Sequence, residues 1–205
     1  WKNWRLVAAG YAAVWAKENT RAALFDAMKR REVYATTGSR IQVRFFGGWS
    51  FDATDINQPD YVARGYKKGV PMGGDLSQGP DSGAPSFLIA AAKDPDGANL
   101  DRVQVIKGWQ DANGVLQEQV YDVALAGVDE TDGSASLRGV WMDPTFNVAK
   151  DAVYYARVIE VPRKRWSTRD ADFFGVERPA EAPEFIQDRA YSSPIWYEAE
   201  MRPST

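Results

Sequence analysis

The chain has 205 residues, 44% of them apolar and 13% aromatic, enough for a sizeable core in one domain with an appendage or in two small domains, which excludes disorder of the whole. With 25 basic and 28 acidic residues its net charge is −3, which gives no electrostatic footprint for nucleic acid or for an anionic membrane surface. No apolar run reaches the length of about 18 residues that a bilayer-spanning helix needs.

Leu6 to Trp15 is small and apolar and reads as a buried strand or a loop. Asn19 and Thr20 supply an N-cap, and a helix is predicted from there to about Arg31. Leu24, Ala27 and Met28 recur at helical spacing with Phe25 widening the stripe, and Lys29, Arg30 and Arg31 crowd the last turn, where cations suit the helix dipole. Val33 to Thr37 then reads as a short strand that stops at Gly38. Ile41, Val43 and Phe45 alternate with Gln42 and Arg44, the pattern of a half-buried strand ending at Gly47-Gly48. A loop is predicted from Trp49 to about Pro59, a short helix from Asp60 to Lys67, a turn region over Gly69 to Asp75, and a polar loop from Ser77 to Pro85.

The remainder is mostly strand. Ser86 to Ala92 is an apolar run closed by the turn Asp94-Pro95-Asp96-Gly97, where Pro presets φ and Gly accepts a positive φ. Arg102 to Trp109 and Val115 to Leu125 flank Asn113-Gly114, the best hairpin signal in the chain. Val153 to Val161 is apolar on both faces, which predicts a strand covered on both sides. A long Pro-interrupted segment follows, and Pro194 to Tyr197 reads as one last strand. Several strands with turns between them predict a β-sandwich.

Cysteine is absent, which removes disulfides, thiolate nucleophiles and Cys-based zinc sites. Histidine is absent too, so any catalytic site must rest on carboxylates, Lys, Tyr or Ser. The chain starts Trp1-Lys2-Asn3-Trp4, without an initiator Met or a signal-peptide design, and the expectation is that it was processed or cut from a longer chain.

One set of blocks goes further than composition. The order runs Val14-Trp15-Ala16-Lys17-Glu18-Asn19-Thr20-Arg21, Ala23-Leu24-Phe25-Asp26-Ala27-Met28-Lys29-Arg30-Arg31-Glu32 and Tyr34-Ala35-Thr36-Thr37-Gly38. Next come Arg44-Phe45-Phe46-Gly47-Gly48-Trp49, Gly69-Val70-Pro71-Met72-Gly73-Gly74-Asp75-Leu76 and Val105-Ile106-Lys107-Gly108-Trp109. Tyr154-Tyr155-Ala156-Arg157-Val158, Arg165-Trp166-Ser167 and Ser192-Ser193-Pro194-Ile195-Trp196-Tyr197 complete the set. Together they resemble the bacterial domain-of-unknown-function family three-six-zero-four, which is distantly related to the PHP (polymerase and histidinol phosphatase) superfamily of metal-dependent hydrolases. One departure is Ser39, where the family commonly has Pro.

The resemblance implies that the chain is the carboxy-terminal third or so of a longer protein, whose upstream part is a PHP-like barrel holding the His and Asp metal ligands. Residues 1–45 would then be the closing helix and strand of that barrel, and residues 46–205 a β-rich carboxy-terminal domain. The expected fold class is α+β, an amino-terminal helix and strand followed by a mainly antiparallel β-sandwich. No catalytic residue, metal ligand or cofactor is expected in these residues; a divalent metal is expected upstream. The expected partner is that barrel, with a homo-oligomer through an exposed apolar face of the helix Thr20 to Arg31 as a further possibility. Family members often carry an export signal, which favours the periplasm.

Four residues are the candidate ligand-binding set: Thr36, Thr37, Gly38 and Arg40. Hydroxyls and a guanidinium after a strand can hold a phosphate or another anion; a strand end whose threonines satisfy backbone groups is the plainer reading. Asp52, Asp55, Asp60, Asp75 and Asp81 lack the alternation of a calcium loop, and Asp94, Asp96, Asp129 and Asp132 read as turn residues. Trp49, Trp109, Trp141, Trp166 and Trp196 read as core residues; two coplanar exposed indoles would favour the alternative function, a carbohydrate- or ligand-binding β-sandwich. Asp143, Glu160, Glu177 and Glu184 have no motif around them that would mark an acid–base pair.

Overall fold

A computed structural model describes residues 10–79, 83–127 and 132–199. Within them the chain runs β1 (Tyr11–Val14), α1 (Arg21–Lys29), β2 (Val33–Thr36), β3 (Gln42–Gly48), α2 (Ala53–Ile56), α3 (Tyr61–Lys68), β4 (Gly69–Pro71), β5 (Asp75–Leu76) and β6 (Ser86–Ala92). It continues with β7 (Leu100–Gln110), β8 (Leu116–Leu125), β9 (Ser136–Met142), β10 (Ala152–Glu160), β11 (Arg163–Lys164), α4 (Trp166–Phe174), β12 (Phe185–Ile186), β13 (Arg189–Ser192) and β14 (Ile195–Tyr197). Part of the segment Leu6 to Trp15, part of the loop Ser77 to Pro85, Asp81 and Asp129 lie outside the described residues.

Mainly antiparallel sheets with a few short helices make the fold. The larger sheet is built around β10, which pairs with β7 along its whole length on one side. On the other side its first residues pair with β14 and its last with β13. From β13 the sheet extends through β2 to β1, and from β7 to β8. Only the short β14–β5 contact is parallel among these described pairings. The smaller sheet runs β4-β3-β6-β9.

The two sheets share one core, in which Val43, Phe45, Phe87 and Ile89 of the smaller meet Val105, Tyr154, Ala156 and Val158 of the larger. The Phe87 and Tyr154 rings, 4.5 Å apart at their centroids, close the gap between them. Burial of these large side chains is the main source of stability, at ~1.5–3 kcal/mol for each fully buried one. On the far side of the smaller sheet Phe46, Phe51, Ile56, Leu88 and Ala90 form a second core with Tyr61 and Val62. Here α3 lies so close that a Cβ on Gly65 would sit 2.6 Å from the Phe46 ring.

Over the first half of β3 Gln42 is exposed and Val43 and Phe45 are buried, as the alternation predicted; the third layer corrects the expectation for its second half. Both Phe45 and Phe46 are buried, because β3 has the other sheet on one face and α2 and α3 on the other. The reverse correction applies to β10, where Tyr154, Ala156 and Val158 are buried and Val153, Tyr155, Arg157 and Ile159 only half so. Its outer face is shared with a polar network in which Gln104 donates to Asp122 and Arg157 donates to Gln104. Inside the region expected to be loop, α2 forms through a capping box, Asp52 accepting from Thr54 N and Asp55 accepting from Asp52 N. The structure also adds β9, α4 and β13 in segments where no element was predicted.

The helix α1 keeps the expected cap, with Thr20 Oγ1 accepting from Ala23 N at 3.3 Å. Ala27 is buried and Leu24 half-buried, while Phe25 is 68% and Met28 56% exposed. The boundary expected near residue 45 falls inside β3. β2 is hydrogen-bonded to β13, with Thr36 opposite Ala190, so residues 33–36 sit in the same sheet as the last strands. No helix among the described residues is long and apolar enough to cross a membrane.

Candidate functional site

The turn after β2 is built from local hydrogen bonds. Thr36 is buried and its Oγ1 accepts from Gly38 N at 3.3 Å. Gly38 has φ 134°, a conformation that side chains with a Cβ rarely adopt, so glycine is required there. Thr37 reaches across to the end of the chain: its hydroxyl donates to Asp188 at 2.7 Å and accepts from Arg189 N at 3.0 Å. Arg40 turns the other way. Its backbone N–H and guanidinium donate to Asp94, and the guanidinium also pairs with Asp96. These bonds, the backbone one foremost, hold the Asp94 carboxyl down at about 2.

Of the four candidates, Thr37 and Gly38 therefore line a hollow, Thr36 is spent on the turn and Arg40 on the Asp94 loop. The hollow has a volume of about 250 Å3 and is otherwise walled by Arg163, Lys164, Arg165, Trp166, Arg169, Ile186 and Asp188. These come from β11, the start of α4 and the approach to β13. Sequence reasoning missed them; the run Arg163-Lys164-Arg165 with Arg169 one helical turn on was the available signal.

Beneath the turn lies a buried polar cluster. Arg163 pairs with Asp188 and lies 3.9 Å from Glu160. Glu160 is fully buried, and neither of its carboxylate oxygens has a hydrogen-bond partner among the described residues; the same holds for Ser39 Oγ and Arg163 Nε. Burial, then the negative charge of Asp188, push the Glu160 carboxyl above the ordinary glutamate range, with Ser39 and Arg163 pulling the other way.

A family model described as "Protein of unknown function (DUF3604)" matches residues 1–132 and 126–199. The chain belongs to the DUF3604 family. No curated protein and no solved structure matches it.

Elsewhere in this DUF3604 chain, buried charge serves the fold. Lys107 and Asp143 are both buried and pair at 2.6 Å. Lys107 Nζ also donates to Thr145 O and Oγ1, which uses all three of its protons. The Tyr154 hydroxyl donates to Asp143 at 2.7 Å, and burial, then the Asp143 charge, raise its pKa. Glu177 and Glu184 are exposed. Asp94 accepts from the backbone N–H of Asp96 in its own turn, as its position predicted, and Asp111 likewise accepts from Asn113 N and Val115 N. Among the described residues, no group of three or more His, Cys, Asp or Glu side chains could hold a metal ion. Trp49 packs on Phe146 and Tyr197, and Trp141 on Phe87 and Tyr121, whereas Trp166 and Trp196 are each 43% exposed.

Proposed function

We propose that this chain is a non-catalytic carboxy-terminal portion of a metal-dependent, hydrolase-like protein, and that it supports a PHP-like barrel lying upstream in the same protein. The observation that carries the reading is the α1 surface. Phe25 and Met28 share one side of the helix one turn apart, and both stand open to solvent while Ala27 anchors the opposite side. The expected barrel would cover that face.

The test is a pair of substitutions, Phe25→Ser with Met28→Ser, in this chain and in the longer protein from the same gene. Each side chain that the barrel buries contributes ~1.5–3 kcal/mol. The expected result is a lower melting temperature for the longer protein and little change for these 205 residues alone. Equal changes in both would sink the reading.

A second reading, a carbohydrate-binding sandwich, is supported by the exposed Trp196, which lines a wide groove with Tyr155, Trp109 and Glu118. Quenching of tryptophan fluorescence by soluble oligosaccharides, lost in Trp196→Ala, is its expected signature.

A further inference from the structure

Two hollows meet at Thr37 and Ile186. The first, of about 250 Å3, sets four cationic side chains (Arg163, Lys164, Arg165 and Arg169) against a single carboxylate, Asp188. The second carries Arg189. Arg163 is held by Asp188 and Lys164 by Asp172. Arg169 and Arg189 are exposed, and neither side chain has an ionic or hydrogen-bonding partner among the described residues.

The first hollow is pre-organised. Arg165 is only 5% exposed; its guanidinium donates to Ser167 Oγ at 2.8 Å and lies 4.9 Å from the centre of the Trp166 ring. Held in this way, the guanidinium sets a fixed positive charge in the wall of the hollow, while the exposed fork of Arg169 matches the oxygens of a carboxylate or phosphate. Arg165 is also the N-cap residue just before α4, and its side chain makes no cap hydrogen bond. The positive end of the helix dipole thus adds to the same field.

We propose that this hollow binds a small organic oxyanion, its charged head beside Arg169 and the start of α4, its body against Trp166 and Ile186. Size argues for a small ligand, since pockets for drug-sized molecules run to roughly 300–1,000 Å3. A nucleic-acid strand is disfavoured by the net charge of −3. The hollow is made by residues of this chain alone and needs no upstream barrel, so the two proposals fail separately.

The experiment is calorimetric titration of the chain at low ionic strength with inorganic phosphate and, separately, with citrate. Saturable one-to-one binding of at least one is expected, and the preferred probe separates a phosphate head from a carboxylate one. Arg169→Ala should weaken that binding about tenfold or more. Arg169→Lys, which keeps the charge and loses the fork, should fall between the two. Arg102→Ala, which removes a half-buried cation outside the hollow, should leave the affinity unchanged. Failure of both probes to saturate would overturn the proposal. So would equal weakening by Arg169→Ala and Arg102→Ala, because binding would then follow overall charge.

Discussion

Glu160 and Lys107 are both buried, and their surroundings give them opposite behaviour. Lys107 has a carboxylate and two further acceptors, so replacing it with Met strands the Asp143 charge in the core. Lys107→Met should destabilise the fold by about 3–5 kcal/mol, read by chemical denaturation. Glu160 lies 3.9 Å from Arg163, neither of its oxygens has a hydrogen-bond partner among the described residues, and burial raises its pKa. The folded state therefore holds that proton more tightly than the unfolded state does. Its contribution is fully present below the ordinary glutamate range and is lost as pH rises through the raised folded value. Glu160→Gln, neutral at every pH, should raise the melting temperature at pH 8 by roughly 2–4 °C, the shift that about 1 kcal/mol makes in a domain of this size. The gain should shrink toward pH 5. A loss of equal size at both pH values would show that the carboxyl is ionised and satisfied.

At the scale of elements, what was legible was what local chemistry decides. The Thr20 cap, the hairpin around Asn113-Gly114 and the strand Ser86 to Ala92 are set by residues within a few positions of each other, and the structure has all three. The burial of the second half of β3 and of β10 was not legible, because the number of faces covered depends on layers packed from distant parts of the chain. α2 was missed because its capping box uses two aspartates, Asp52 and Asp55, in place of the usual hydroxyl and glutamate. The hollow divides in the same way. Thr37 and Gly38 could be picked out as a turn after a strand, but the walls from β11 and α4 come beside them through contacts far apart in sequence, the β2–β13 pairing and the Thr37–Asp188 bond among them. No local pattern encodes that long-range contact.

As a whole, the molecule is a pair of packed sheets with α2 and α3 on the outer face of the smaller one, a short β11–β12 pair, an apolar patch on α1 and a basic hollow at the end of β2. Among the described residues the buried carboxylates Asp143 and Asp188 are tied to cations, and the sequence has no histidine. If the chain supports a barrel, catalysis belongs to an upstream part of the parent protein. The decisive measurement is elemental analysis for divalent metals, on these 205 residues and on the longer protein purified alike. Stoichiometric metal is expected in the longer protein, and none above background in the chain alone. Stoichiometric metal bound to the chain alone would contradict the non-catalytic reading, because a metal centre would then lie in the β-domain itself.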